Sequence, residues 1–337
     1  MTDPVKALPR KPADFASSQE VRWCPGCGDY AILKAVRKTM ADVGADPDKT
    51  LVISGIGCSS RFPYYMETYG FHTIHGRAPT IASGAMLANP DLDVWIITGD
   101  GDALAIGGNH LIHLLRRNFN CQILLFNNEI YGLTKGQYSP TSHMNTRSPS
   151  TPMGSIDTPL DPARVALAAG ARFVARAVDT QQKQLTEILT QAYHHKGTSF
   201  VEIFQNCIVY NDDVFAPFTD KKNVPDHQLY VQKGQPMIFG ADRDKGIFMN
   251  RKWQLQPAGL EQPHDIQPIT HDPGNRSLAC MLAELSPPNA PMVTGVLYQQ
   301  EDATYQQLAH EQIDKARANS PHDLNSILRQ GVTWSVS

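Results

Sequence analysis

The chain has 337 residues, 41% of them hydrophobic, and a formal net charge of −3. This length suits one large α/β domain with an appendage or two modest domains, and the near-neutral charge argues against a nucleic-acid partner, which would favour a basic face. No apolar run approaches the roughly 20 residues of a membrane helix, and six cysteines are too few for a secreted disulfide framework. We therefore expect a cytoplasmic protein that binds neither nucleic acid nor membrane.

Helical and strand patterns alternate from residue 28 to residue 207. Short apolar segments predict strands at residues 51–54, 94–98, 122–126, 172–174 and 199–204. Helical spacing of apolar residues, or tight small-residue packing, predicts helices at residues 28–43, 80–88, 107–118, 162–169 and 181–194. Such alternation is typical of an α/β fold with a doubly wound, mostly parallel sheet.

The composition of the chain changes after about residue 212. We interpret residues 1–22 as an irregular N-terminal leader and residues 23–212 as the domain that contains the sheet. Residues 213–337 are rich in proline and polar residues, which indicates a C-terminal extension that wraps the core or a partner. An independent second domain is the alternative, but this segment shows no core of its own.

A candidate metal and diphosphate motif follows two neighbouring predicted strands. Gly99-Asp100-Gly101 stands at the carboxyl end of one strand, where open α/β sheets bind ligands. Its glycines allow the backbone to approach a phosphate closely, and Asp100 offers the oxygen ligand that Mg²⁺ prefers. Asn127-Asn128 ends the next strand and therefore emerges at the same edge. A lone Gly-Asp-Gly is more often only a tight turn, but the paired asparagines favour a cofactor site.

Four cysteines, hereafter the four site cysteines, lie in segments that can converge on this edge. Cys24 and Cys27 flank Pro25-Gly26 before the first helix, Cys58 follows the first strand, and Cys207 follows the last predicted strand. A thioredoxin-like dithiol needs only two cysteines, so the other two favour a metal site with four thiolate ligands. Thiolates suit zinc and iron–sulfur clusters alike, and the residues alone leave that choice open.

These motifs together resemble a known family. The pattern from Gly99-Asp100-Gly101 to Asn127-Asn128 resembles the diphosphate-binding motif of thiamine-diphosphate enzymes. Three further stretches make the resemblance narrower, to the β subunit of the 2-oxoacid:ferredoxin oxidoreductases, over residues 22 to about 212. The stretches are Trp23-Cys24-Pro25-Gly26-Cys27-Gly28, Gly55-Ile56-Gly57-Cys58-Ser59-Ser60 and Tyr131-Gly132-Leu133-Thr134-Lys135-Gly136-Gln137.

The resemblance implies a fold of the thiamine-diphosphate-binding type and a set of site residues. It implies that Asp100 and Asn128 bind Mg²⁺ through their side chains, and Ile130 through its carbonyl group. It further implies that the four site cysteines hold one 4Fe–4S cluster. The residues that it places around thiamine diphosphate are Gly57, Cys58, Ser59, Ser60, His75, Gly99, Asp100, Gly101, Asp102, Asn128, Ile130, Gly132, Leu133 and Thr134.

The resemblance also implies a reaction and partners. A 2-oxoacid, coenzyme A and oxidised ferredoxin would give acyl-CoA, CO₂ and reduced ferredoxin, and the reaction would be reversible to reductive CO₂ fixation. This chain shows only the diphosphate half of a thiamine enzyme, so an α subunit is expected to complete the site. We expect activity only in a heterodimer or a dimer of heterodimers.

The substrate and the redox chemistry have alternatives. 2-Oxoglutarate is the favoured substrate, and pyruvate or a branched-chain 2-oxoacid is the alternative. Instead of an oxidoreductase, the chain could be a subunit of a non-redox thiamine-diphosphate enzyme with structural zinc. A non-enzymatic binding module with a zinc site is the third reading.

Two residues are predicted to act on the substrate. Arg61 directly follows Cys58-Ser59-Ser60, and a cation at the cofactor end of the sheet could pair with the distal carboxylate of 2-oxoglutarate. An exposed surface arginine is the alternative. His75, in a loop with Gly76, could polarise the substrate carbonyl or relay protons.

The segment at residues 139–155 is rich in Ser, Thr and Pro and predicts a flexible loop.

Overall fold

The computed structural model describes residues 10–261, 267–319 and 323–329, together with residues 331, 332, 334 and 336. Its strands are β1 (Thr50–Ser54), β2 (Tyr69–His72), β3 (Asp93–Gly99), β4 (Cys121–Asn127), β5 (Ile130–Tyr131), β6 (Gln137–Tyr138), β7 (Phe173–Val178), β8 (Thr198–Phe204), β9 (Gln228–Val231), β10 (Ile238–Phe239), β11 (Lys245–Met249), β12 (Leu255–Gly259) and β13 (Met292–Gln299).

The helices lie between and after these strands. The α-helices are α1 (Asp29–Asp42), α2 (Ala78–Ala88), α3 (Asp100–Leu104), α4 (Gly108–Arg117), α5 (Pro162–Ala168), α6 (Gln182–His194), α7 (Ala216–Thr219), α8 (Val224–His227), α9 (Arg276–Ala283), α10 (Tyr305–Ala318) and α11 (Leu324–Leu328). Two 3₁₀ helices lie at Pro12–Phe15 and Ser59–Tyr65.

The central sheet has the strand order β2-β1-β3-β4-β8-β7-β13-β9. Neighbouring strands pair in parallel except β13 and β7, which are antiparallel. Strand residues alternate between two hydrophobic cores, so that Ile53 packs on one face and Val52 on the other. Helices α2, α4, α5 and α9 cover the first face, and α1 and α6 cover the second. The predicted doubly wound, mostly parallel α/β fold is confirmed.

Part of the C-terminal region continues this sheet. Strands β9 and β13 form its last two positions, whereas β10, β11 and β12 form a separate antiparallel sheet. The sequence prediction ended the sheet at residue 204 because the long segment between β8 and β13 has no regular apolar period. Strand β13 pairs with β7 over a long distance in sequence, and no local sequence pattern predicts this pairing. The domain boundary at residue 212 stays a prediction.

The described end of the predicted leader packs against the domain. Phe15 ends the first 3₁₀ helix and is fully buried in the hydrophobic core that α1 covers. The backbone of Ala16 pairs with that of Met66 in an isolated antiparallel bridge. Residues 1–9 of the predicted leader lie outside the described residues.

The order of the strands brings distant segments of the chain together. The carboxyl ends of β1, β3, β4 and β8 lie side by side, because these strands are neighbours and run parallel. The loop with Cys58 follows β1, Asp100 follows β3, Asn128 follows β4 and Cys207 lies three residues beyond β8. Among the helices that the structure describes, none is both long and apolar enough to span a membrane.

Candidate cofactor and metal site

Two adjoining cavities open at this edge of the sheet. The first, which we call the cofactor cavity, has a volume of about 80 Å³ and contains the Gly-Asp-Gly motif in its wall. The second, the cysteine cavity, has a volume of about 240 Å³ and is lined by the four site cysteines. Cys58, Asn128, Gly132 and Leu133 line both cavities. The two predicted sites are therefore separated by only one layer of residues.

The cofactor cavity gathers the residues predicted around thiamine diphosphate, with the exception of Ser60. Ser60 lies buried beneath it, where its carbonyl group accepts a hydrogen bond from the Ser54 hydroxyl at 2.7 Å. The predicted residues in the wall are Gly57, Cys58, Ser59, His75, Gly99, Asp100, Gly101, Asp102, Asn128, Ile130, Gly132, Leu133 and Thr134. Their assignment to a bound cofactor stays a prediction.

Asp100 is the buried acid of the cofactor cavity. It is the first residue of α3 and only 2% exposed, and burial raises the pKa of its carboxyl group. Its Oδ2 accepts hydrogen bonds from the Ser139 and Thr141 hydroxyl groups at 2.5 and 2.6 Å. The prediction of a flexible loop after residue 138 is wrong for these residues, because Ser139, Thr141 and Ser142 are buried against the site.

The two asparagines at the end of β4 have different roles. Asn127 points into the domain, where it donates to Glu202 Oε1 at 2.8 Å and accepts from the Thr141 hydroxyl at 3.0 Å. Asn128 faces both cavities, and its Oδ1 accepts from the Ile130 backbone N–H at 3.2 Å. Asn127 therefore supports the site, whereas Asn128 belongs to its wall.

Asp102 holds two loops of the site and the end of β3 together. Its carboxylate accepts hydrogen bonds from the backbone N–H groups of Ile56 and Gly76 at 3.0 and 2.8 Å, and from the Thr98 hydroxyl at 2.8 Å. His75 Nδ1 lies 2.9 Å from Asp102 Oδ1, and the histidine ring lines the cofactor cavity. Asp102 thus lies next to the candidate catalytic histidine, whose action on a substrate stays a prediction.

Position 101 must be a glycine because the ring of Tyr131 packs against it. A Cβ atom at this position would lie 2.2 Å from a ring carbon of Tyr131, so no other residue fits without moving the ring. The Tyr131 hydroxyl donates to the Gly101 carbonyl at 3.1 Å. Burial raises the pKa of Tyr131 to about 12, which keeps its phenol neutral. This contact fixes the segment after β4 against the Gly-Asp-Gly turn.

A second buried acid lies close to Asp100. Glu129 is buried, and burial together with the nearby Asp100 carboxylate raises its pKa to about 8. His143 Nε2 lies 3.4 Å from Glu129 Oε2. Neither Glu129 nor the hydroxyl groups around Asp100 were predicted as site residues, since an isolated acid in a loop has no distinctive spacing. A cation near Asp100 would stabilise the charged forms of both acids.

A buried ion cluster supports this wall from below. Arg176 on β7 and Glu202 on β8 are 2% and 1% exposed. The Arg176 Nε group donates to Glu202 Oε2 at 2.9 Å, and its terminal nitrogen donates to both oxygens of Asp161 at 2.7 Å. Glu202 also accepts the hydrogen bond from Asn127. The guanidinium therefore holds in place the acid that orients the end of β4.

We expect Arg176→Met to destabilise this chain by about 3–5 kcal/mol, because it leaves Glu202 buried without its cation. Urea unfolding of the purified subunit, followed by near-UV circular dichroism, measures the change. Arg164→Met is the matched control, because Arg164 pairs with Glu284 on the surface, where both side chains are more than half exposed. The control should cost no more than about 1 kcal/mol. Equal losses in both variants would contradict the prediction.

The cysteine cavity is formed by loops that are joined by hydrogen bonds. The Cys27 backbone N–H donates to the Cys24 carbonyl at 3.0 Å, a tight turn that Gly26 permits with a φ of +84°. The Trp23 indole donates to the Cys58 carbonyl at 2.7 Å, which ties this turn to the loop after β1. A Cβ atom on Gly132 would stand 3.5 Å from the sulfurs of both Cys58 and Cys207. The thiols from separate strands therefore share one space.

Burial favours the neutral thiol at two of the four site cysteines, Cys27 and Cys58. It raises the pKa of Cys58 to about 12 and also raises that of Cys27. Across residues 10–261, 267–319 and 323–329, no three His, Cys, Asp or Glu side chains are placed to hold a single metal ion. The four site cysteines thus line a common cavity without converging on one point.

Arg61 is placed at the cysteine cavity. It lines that cavity beside Cys58 and is absent from the wall of the cofactor cavity. Its Nε donates to the Tyr65 hydroxyl at 3.0 Å, within the 3₁₀ helix that follows the cysteine. Contact of Arg61 with a substrate carboxylate stays a prediction, and this placement favours an electrostatic role near Cys58.

Two more polar residues were missed by the sequence reasoning. Asp29, at the start of α1, lines the cofactor cavity, and burial raises its pKa to about 7. Gln205, directly after β8, lines the cysteine cavity and is buried. The only available signal was their position next to Cys27 and Cys207, since a single Asp or Gln has no motif of its own.

Comparison with known proteins agrees with this geometry. The family described as thiamine pyrophosphate enzyme, C-terminal TPP binding domain, matches residues 55–203. That range extends from the loop after β1 into the end of β8 and so includes the Gly-Asp-Gly motif and both asparagines.

Similarity to individual proteins extends over the whole chain. The 2-oxoglutarate oxidoreductase subunit KorB of Mycobacterium tuberculosis is 47% identical, over 99% of this chain and 90% of its own length. The 2-oxoacid:ferredoxin oxidoreductase subunit beta of Saccharolobus solfataricus is 42% identical, over 72% of this chain and 82% of its own. A structure of 2-oxoglutarate:ferredoxin oxidoreductase from Magnetococcus marinus, with 2-oxoglutarate, coenzyme A and succinyl-CoA bound, superposes with a TM-score of 0.79 at 33% identity, covering 98% of both chains.

Proposed function

This chain belongs to the β subunits of the 2-oxoacid:ferredoxin oxidoreductases, and we propose that it serves the CoA-linked oxidative decarboxylation of 2-oxoglutarate together with an α subunit. In this reaction the bond between C1 and C2 breaks, CO₂ leaves, the succinyl group forms a thioester with coenzyme A, and ferredoxin takes up the two electrons released. The observation that carries the proposal is the common wall of the cofactor and cysteine cavities.

The cofactor cavity suits Mg²⁺ and a diphosphate. Asp100 would bind the ion through its carboxylate, Asn128 through its amide oxygen and Ile130 through its carbonyl group, an all-oxygen set that Mg²⁺ prefers. A buried carboxyl group with a raised pKa supports this assignment, because a cation would offset the cost of its burial. Thiamine diphosphate, when bound, would supply the electron sink that decarboxylation of a 2-oxoacid needs.

The size of the cofactor cavity supports the need for a second subunit. Its volume of about 80 Å³ is well below the roughly 300–1,000 Å³ of typical cofactor pockets, so this chain provides only part of the enclosure. His75 and Leu133 lie in the wall of this partial cavity. We propose that the α subunit closes the cavity, supplies the glutamate that activates the cofactor and contributes most of the pocket for 2-oxoglutarate and coenzyme A.

The four site cysteines suit a 4Fe–4S cluster better than one zinc ion. Four thiols around a zinc ion must meet at about 2.3 Å from a single point, whereas a cluster offers a separate iron to each thiolate. In this chain the thiols share a cavity of about 240 Å³ without meeting at one point. A cluster, when bound, accepts electrons one at a time and would pass them to ferredoxin.

The choice of 2-oxoglutarate rests on similarity to enzymes whose names include this substrate. Pyruvate or a branched-chain 2-oxoacid is the alternative. Arg61 was the cation predicted for the distal carboxylate, but it lines the cysteine cavity. Its contact with the substrate stays a prediction. The same residues would serve the reverse, CO₂-fixing direction.

Anaerobic co-purification with the α subunit tests the proposal. We expect about four irons and four sulfides per β chain, and reduction of ferredoxin that requires 2-oxoglutarate, coenzyme A and thiamine diphosphate. The β chain alone should show no turnover. One zinc without sulfide would instead favour the non-redox thiamine enzyme, and a faster reaction with pyruvate would overturn the assignment of substrate.

A further inference from the structure

One buried side chain connects the two cavities. Gln205 is the first residue after β8 and is 1% exposed. Its backbone N–H donates to the Asn127 carbonyl at 2.8 Å, which extends the pairing of β8 with β4 by one residue. The side chain lines the cysteine cavity and reaches Asn128, which lines both cavities.

The amide of Gln205 has a separate partner for its oxygen and for its nitrogen. Its Oε1 accepts a hydrogen bond from Asn128 Nδ2 at 2.7 Å. Its Nε2 donates to Cys27 Sγ at 3.3 Å and to the Asn206 carbonyl at 2.6 Å. An acceptor faces the candidate metal ligand and a donor faces the candidate cluster ligand. This arrangement requires an amide, since neither an acid nor an apolar residue offers both groups.

We propose that Gln205 is a positioning residue that links the two centres, setting the orientation of Asn128 and the reduction potential of the iron–sulfur site through Cys27. This inference rests on the proposed function, because it takes the four site cysteines as cluster ligands. An N–H group directed at a ligating sulfur stabilises the extra negative charge of the reduced cluster and so raises its potential. The bond from Asn128 Nδ2 to Gln205 Oε1 restricts the rotamer of the Asn128 amide, whose oxygen is the candidate ligand.

The amide contacts one candidate ligand through its oxygen and the other through its nitrogen. Removal of the donor should lower the midpoint potential of the cluster, and removal of the acceptor should weaken metal-dependent cofactor binding. Outer-shell groups of this kind typically contribute roughly 10–100-fold to metal affinity. The Gln205 amide would then lie between the cofactor cavity, where decarboxylation takes place, and the cluster that accepts the electrons.

Gln205→Met tests the inference in the assembled enzyme, because methionine matches the length of glutamine and lacks both polar groups. An EPR-monitored redox titration under argon should give a midpoint potential more negative than that of the wild type. Equilibrium dialysis with Mg²⁺ should give a Kd for thiamine diphosphate that is about 10–100-fold higher. Gln181→Met is the matched control, since the Gln181 amide donates to Gln228 and touches neither cavity. It should change neither quantity.

The possible outcomes separate this inference from the proposed function. Wild-type enzyme with its iron and sulfide, beside a Gln205→Met variant with unchanged potential and unchanged Kd, would overturn the inference and leave the proposed function standing. A change in only one quantity would overturn the link between the centres. Wild-type enzyme without iron and sulfide would overturn both. If the methionine variant does not assemble, Gln205→Asn, whose shorter amide cannot reach both partners, should give the same two changes.

Discussion

Replacement of Cys207 by alanine should remove most of the iron and acid-labile sulfide from the assembled enzyme, and with them the reduction of ferredoxin. A 4Fe–4S cluster is held by one thiolate at each iron, so one missing ligand leaves an iron open to solvent and loss. Cys207 is well placed for this role, because its carbonyl accepts from the Asn211 backbone N–H at 3.0 Å and Asn211 Nδ2 donates to the Asn128 carbonyl at 2.8 Å.

Cys280→Ala is the control for this experiment. Cys280 is an exposed cysteine on α9 and lies outside both cavities, so its loss should leave iron, sulfide and the reduced-cluster EPR signal unchanged. Iron and sulfide are measured per β chain after anaerobic purification of each variant with the α subunit. Full iron in the Cys207 variant, or loss of iron in the Cys280 variant, would contradict the assignment of ligands.

The sheet was predictable where its strands are buried on both faces. The segments at β3, β4 and β8 are mostly apolar, and the predicted bounds of these three strands differ from the observed ones by no more than a residue at either end. Strand β2, whose residues are exposed, has no such segment and was missed. Strand β13 was missed for another reason. Its run is apolar, but its place in the sheet depends on pairing with β7 far along the chain.

The site was predictable where the residues come from short motifs. Asp100 and Asn128 follow strands directly, and parallel pairing of β3 with β4 brings them to one edge. Support residues such as Thr141 and Gln205 could not be predicted, because their partners come from other strands and loops. A polar contact between distant segments depends on the tertiary fold, and the local sequence does not predict it.

Arg61 illustrates the limit of arguments from adjacency in sequence. It stands three residues after Cys58 and was expected to face the substrate. The chain forms a 3₁₀ helix over Ser59–Tyr65, and the Arg61 side chain turns towards Tyr65, four residues later. Its position along the chain was therefore a good guide to the region of the protein, but the local helical turn decided which cavity it lines.

Asp100→Asn should weaken the binding of thiamine diphosphate in the presence of Mg²⁺ by more than about 100-fold, because outer-shell groups alone contribute roughly 10–100-fold and Asp100 is the proposed direct ligand. Asparagine keeps the size of the side chain but carries no charge to balance the ion. Equilibrium dialysis of the assembled enzyme, at fixed Mg²⁺, measures the Kd. The proposed cluster would occupy the neighbouring cysteine cavity, so the variant should keep its iron.

Two further variants make the test specific. Thr141→Val removes one hydroxyl group that donates to Asp100 and should raise the Kd by roughly 10–100-fold, less than the loss of the carboxylate itself. Asp93→Asn removes a largely buried carboxylate at the opposite end of the same strand, about 20 Å away at the usual rise per residue, and should leave the Kd unchanged. Cofactor binding that tolerates Asp100→Asn as well as it tolerates Asp93→Asn would remove Asp100 from the metal site.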